Sequence, residues 1–141
     1  MHKHPLFISW ALLLVVVASL HILALEFFLY WLYPLFDVFM HFLGGVFIGL
    51  SSLWLFFESG YIKLNKSSKN VIIVVGVSIF FVGIGWEIFE IFAGIPIEEN
   101  FKLDTAVDLI MDVLGAFIAY FIFIRVYLSK YLEELNEQER K

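Results

Sequence analysis

The sequence predicts an all-α protein, a bundle of four transmembrane helices with both termini in the cytoplasm. Composition is the first reason. Of 141 residues, 62% are hydrophobic and 16% charged, with a mean hydropathy of +0.91. Soluble domains sit near about 45–50% apolar and about 25% charged, and a soluble chain of this size has too little interior to hide the excess. The second reason is length: four apolar stretches each reach the roughly 20 residues a spanning helix needs. The third is the placement of basic residues, which crowd into alternate connections.

The first span is expected over about 6–33. Pro5 suits a first helical position and Pro34 ends the run. Lys3 before an apolar stretch resembles a signal peptide, but this stretch is too long and too aromatic for one, so it is expected to be retained. The second span, about 37–57, takes Asp37 as its N-cap and leaves through Ser59-Gly60. The third covers about 71–93 and closes on Gly94 and Pro96. The fourth runs over about 104–128. Residues 1–128 thus form one domain, and 129–141 read as a cytoplasmic polar helical tail, solvated or, alternatively, docking a partner.

Eight of the nine Lys and Arg residues fall before span 1, between spans 2 and 3, or at and after the end of span 4; only Lys102 lies between spans 3 and 4. The positive-inside rule then sets the 58–70 loop in the cytoplasm and the 93–103 loop outside. The expected location is the cytoplasmic (inner) membrane, that is a plasma membrane, crossed several times, with the lipid bilayer as the immediate partner. Trp31, Tyr30 and Tyr33 outside, and Trp10, Trp54 and Tyr61 inside, read as interfacial belts. Trp86 reads as packing.

Several functions are excluded or lack support. The chain has no cysteine, so disulfides and thiolate chemistry are absent. A net charge of −5 offers no basic face for nucleic acid. Walker, GxSxG, His-Glu-x-x-His and dinucleotide signatures are missing.

The polar residues inside the spans carry the functional signal. At about 1.5 Å per residue, Glu26 is expected about 10 Å deep, His41 about 6 Å, Glu87 about 9 Å, Glu90 about 4–5 Å, Asp108 about 6 Å and Asp112 about 12 Å, all in the outer half of the bilayer. Asp37 and Asp104 sit at the surface. Asp37 and His41 are spaced i, i+4, with Gly45 and Gly49 continuing the row. Glu87 and Glu90 are i, i+3. Asp104, Asp108 and Asp112 form a row with Gly115-Ala116 and Ala119 below. Neighbours at these spacings share a helix face, and small residues mark helix–helix seams, so the acids point into the bundle. His21 lies on another face from Glu26 and is left out.

No Lys or Arg lies at that depth to balance the charge. Unpaired carboxylates in a low-dielectric bundle are costly; they must be protonated, hydrated in a cleft, or share a cation. Carboxylates with one imidazole suit a divalent metal, as in soluble bundles where Glu and Glu-x-x-His pairs hold two metals. The expected ligands are Asp37, His41, Glu87, Glu90, Asp108 and Asp112, with Asp104 and Glu26 secondary. The blander readings make Asp37 and Asp104 N-caps, His41 a helix–helix hydrogen-bond donor and Glu26 a headgroup contact.

The string Asp37-x-x-x-His41, Glu87-x-x-Glu90, Asp104-Thr105-x-x-Asp108-x-x-x-Asp112-x-x-Gly115-Ala116 resembles the VanZ-like and YjdF-like families of small inner-membrane proteins. The Asp-Thr-x-x-Asp start of span 4 is closer to the YjdF-like pattern. Val38 and Asp112 stand where VanZ-like proteins typically carry Lys and Asn. The resemblance covers about 37–116 and implies a compact multi-span fold with a polar centre.

The expected function is a divalent-metal site near the outer leaflet. Its sharpest form is a metal-dependent hydrolase or transferase acting on a lipid or envelope substrate, the metal activating water or polarising an oxygen. The alternatives are a transporter or channel subunit, or a non-enzymatic module that binds a cationic partner or lipid headgroup. No repeat relates the two halves and the inner half lacks polar lining, which disfavours a through-path in a monomer.

Overall fold

The computed structural model describes residues 5–62, 64–93 and 101–128. The expected tail 129–141 and the exit of span 3 at Gly94 and Pro96 lie outside the described residues. All regular structure in the described residues is helical. Helix α1 is Pro5–Glu26, α2 Leu29–Leu32, α3 Pro34–Leu53, α4 Ser68–Ala93 and α5 Phe101–Ile122. Wider π-helical turns extend α3 through Trp54–Glu58 and α5 through Phe123–Leu128. Four helices are long and apolar enough to cross a membrane, over Leu6–Glu26, Leu35–Glu58, Ser68–Phe92 and Lys102–Tyr127.

Boundaries differ from expectation in instructive ways. The first span does not continue to residue 33. It stops at Glu26, and Phe28 takes a left-handed conformation at φ 55°. That conformation costs a non-glycine residue about 1–2 kcal/mol. The short α2 that follows is tied back to α1 by a 2.7 Å hydrogen bond between the Tyr30 hydroxyl and His21 Nδ1. Pro34 does not merely end one helix; it begins the next, occupying its first turn where a missing N–H costs nothing. Asp37 is therefore not the N-cap of α3 but a first-turn acid. Asp104 is likewise in the first turn of α5, which starts at Phe101. Both positions favour negative charge through the helix dipole. Helix α4 begins earlier than the apolar run because Ser67 caps it, its Oγ accepting from Asn70 N–H at 3.2 Å. Gly60, at φ +79°, makes the exit after the π-turn, as the Ser59-Gly60 pair predicts.

Helices α3 and α5 run parallel and pack along the longest shared seam; α4 runs antiparallel against both, and α1 leans on α3. Glycine sets the closeness of the seam. A Cβ on Gly45 would collide with the Asp112 carbonyl, and one on Gly115 with the Phe42 carbonyl. One turn further, a Cβ on Gly49 would lie 2.6 Å from that of Ala119. The two backbones touch, as small-residue stripes allow in membranes.

The apolar core occupies the half of the bundle away from Asp37. Leu50, Leu53, Phe57, Val71, Val75, Ile79, Ala119 and Phe123 fill it, joined by Leu6. Trp10 and Trp54, expected as belt residues, do more: they stack at 5.5 Å, and Trp10 Nε1–H donates to Ser51 Oγ at 2.6 Å, clamping α1 to α3. Near this end Lys66 Nζ meets Glu58 Oε1 at 2.8 Å. The outside is apolar. Leu12, Phe81, Phe92 and Ile110 are all exposed, whereas His41, Glu87, Asp108 and Asp112 are buried. Such a surface is untenable in water and natural in lipid.

Candidate metal centre

Three helices converge above the glycine seam. From α3, the i, i+4 pair Asp37 and His41 faces α5; from α5, Asp108 and Asp112 face back. His41 is the hub. Its Nε2 lies 3.9 Å from Asp37 Oδ1 and 3.9 Å from Asp108 Oδ2, and its Nδ1 lies 3.4 Å from Asp112 Oδ1. Asp108 is only 1% exposed and His41 6%, as deep as the apolar core. Asp112 fits here because glycines surround it: a Cβ on Gly83 of α4 would stand 2.9 Å from Asp112 Oδ2.

Helix α4 closes the third side with Glu87 and Glu90, one turn apart. Trp86 Nε1–H donates to Glu90 Oε1 at 2.8 Å, so Trp86 orients a site carboxylate rather than only packing. The Thr105 hydroxyl of α5 faces Glu87. Glu87 Oε1, Thr105 Oγ1 and Asp108 Oδ1 are all buried; the Thr105 hydroxyl serves Glu87, which leaves Asp108 Oδ1 without a hydrogen-bond partner. Buried polar atoms are nearly always satisfied, and an orphaned acceptor costs about 1–3 kcal/mol. Such an atom, in a carboxylate 1% exposed at the middle of an acid cluster, points to something that fills its valence.

Two sets of donor atoms lie within 4.8 Å of one another: Asp37, His41 and Asp108, and then His41, Glu87 and Glu90. These oxygen and imidazole donors suit Mg, Ca or Mn, and admit Zn or Fe at the nitrogen. Asp112 belongs to neither set; it touches the other ring nitrogen, which is how an outer carboxylate fixes a ligating imidazole.

Of the eight sequence candidates, the structure brings Asp37, His41, Glu87, Glu90, Asp108 and Asp112 together. Asp104 is half-buried one turn above Asp108 and within electrostatic reach of Asp108 and Glu87, but is in neither set. Glu26 is exposed at the end of α1 and is in neither set as well. Its expected depth assumed an unbroken span to residue 33. Sequence reasoning gave no role to Thr105 or to the Trp86–Glu90 bond, although the i, i+4 spacing of the latter was visible. It leaves His21 out of the site and reads Tyr30 only as a belt residue, whereas the reversal at Phe28 brings the two into contact. Tyr30 there lies within electrostatic reach of Asp37 and Glu90.

Membrane-length helices with lipid-suited exteriors, enclosing acids and an imidazole, define a multi-pass membrane protein with a polar centre. The chain belongs to the family described as predicted membrane protein (DUF2238), whose sequence profile matches residues 2–129. No curated protein and no solved structure matches it.

Proposed function

We propose that this protein binds a divalent metal ion between α3, α4 and α5, with Asp37, His41, Glu87, Glu90 and Asp108 as ligands and Asp112 holding His41. The observation that carries the reading is the buried, partnerless Asp108 Oδ1 inside a donor set of ligand spacing with Asp37 and His41. A metal held by these residues would supply Lewis-acid polarisation of a phosphoryl or carbonyl oxygen, or an activated water, the chemistry of hydrolysis or transfer on a lipid or envelope substrate. The resemblance of the 37–116 string to VanZ-like and YjdF-like proteins supports an inner-membrane setting.

Metal content tests the reading. Detergent-purified protein, incubated with Mn²⁺ or Zn²⁺ and desalted, is expected to retain at least about one equivalent, and Asp108→Asn to retain clearly less than the wild type. Wild-type protein retaining no metal overturns it.

The distribution of Lys and Arg supports termini in the cytoplasm and the acidic end of the bundle outward. Reporters fused at Asn65 and at Glu99 are expected to read cytoplasmic and external, respectively. Equal cytoplasmic signal from both sites overturns this orientation.

A further inference from the structure

We infer that α2 is a hinged strap at the mouth of the polar centre, latched by the Tyr30–His21 hydrogen bond, and that release of this latch opens the centre to cations from water. The inference rests on the metal reading above and adds to it how the site is entered.

Burial sets the way in. The Asp37 side chain is 30% exposed, against 5% for His41 and 2% for Asp108. The far half of the bundle is filled by the apolar core. A hydrated cation bound for His41 and Asp108 therefore passes Asp37.

Tyr30 stands at that opening. Its ring meets Phe36, the residue before Asp37, edge-on at 5.5 Å. It also lies within electrostatic reach of Asp37 on α3 and Glu90 on α4. Those acids come from two different helices, so Tyr30 overlooks the space between them.

The strap is built to move. Phe28, at φ 55° and ψ 34°, and Tyr33, at φ −137° and ψ 89°, are non-helical joints that bracket the single turn Leu29–Leu32. No residue of that turn is buried, so core packing does not hold it. Segments with few buried contacts open locally at low cost. A left-handed residue other than glycine persists only where other contacts impose it. Here the Tyr30 hydroxyl supplies such a contact, 2.7 Å from His21 Nδ1, with the two rings 5.7 Å apart. Breaking that bond frees Phe28 to leave its strained conformation, so opening recovers strain as it loses the bond. His21 is on α1 and in neither donor set, so the latch releases without displacing a ligand.

The chain has no cysteine, so Asp37→Cys places a single thiol beside the strap. Full-length protein in detergent, without metal, is labelled with a charged, water-soluble thiol reagent. Adding Tyr30→Phe or His21→Phe is expected to raise the labelling rate about 2- to 10-fold, the factor set by one ordinary hydrogen bond. Both changes together should raise it no further than either alone, because they remove the same interaction. A thiol introduced by Tyr61→Cys, 82% exposed at the other end of the bundle, should keep its rate. Labelling that ignores both changes, or responds to them additively, overturns the latch. Glu90→Cys, also beside Tyr30, takes the place of Asp37→Cys if circular dichroism shows that variant unfolded. Metal exchange is the second measurement, with Asp37 and Glu90 intact. Tyr30→Phe should speed Mn²⁺ uptake and its release to a chelator by the same factor, leaving Kd unchanged. A changed Kd with an unchanged release rate makes Tyr30 a contact of the site and overturns the gate. Wild-type protein that binds no Mn²⁺ overturns the metal reading, and thiol labelling then decides the strap alone.

Discussion

Gly115→Ala is expected to force α5 away from α3 and to lower stability in detergent by about 1–3 kcal/mol, the usual cost of overpacking a filled interior. The added methyl would meet the Phe42 carbonyl and the Val46 amide, main-chain atoms that cannot rotate aside. Gly45→Ala should do the same from the other helix, against the Asp112 backbone. Gly76→Ala and Gly85→Ala are the controls. A Cβ at either meets nothing within 4 Å, so each should be neutral or stabilising by up to about 1 kcal/mol through helix propensity. Thermal melts of the four variants side by side check this. If all four behave alike, the seam is not a close backbone contact.

His41→Leu is expected to have the largest effect of any change in the polar centre. It removes the one imidazole that contacts Asp37, Asp108 and Asp112 and leaves those carboxylates facing each other in the interior. Removing one partner from a buried charged pair typically costs about 3–5 kcal/mol. The loss should be partly recovered by saturating Mn²⁺, because a cation supplies the missing positive charge. Metal-independent instability, or no instability, would show that His41 is a packing residue. Comparing melting temperatures with and without Mn²⁺, for wild type and variant, makes the measurement.

The four spans were legible because hydropathy over a helix-length window is a strong signal, and the site rows were legible because acids are conspicuous against an apolar background. Spacing alone placed Asp37 with His41, Glu87 with Glu90, and Asp108 with Asp112 on common faces. What the sequence concealed was the break after Glu26. Phe27 and Phe28 carry no glycine, asparagine or proline to announce a left-handed residue, so an apolar run looked like an unbroken helix. The depth assigned to Glu26 failed with it. Pro34 concealed a second boundary, since a proline that stops one helix is equally suited to start another. Asp37 and Asp104 read as candidate caps as well as site residues, because an acid in the first turn and an acid at the cap satisfy similar electrostatics. Trp86 and Thr105 were missed as partners because neither is titratable in the ordinary range, and a search led by charge passes over neutral donors.

The direct main-chain contact between α3 and α5 has a practical corollary. Side chains that hold helices apart adjust when detergent replaces lipid or when bilayer thickness changes. Here carbonyls and α-carbons of Gly45, Asp112, Gly115 and Phe42 set the gap, so there is no compressible filler to yield. The spacing between His41 and the two aspartates below Asp104 is therefore a property of the peptide scaffold. Spectra and affinities recorded in micelles should carry over to native membranes with little correction.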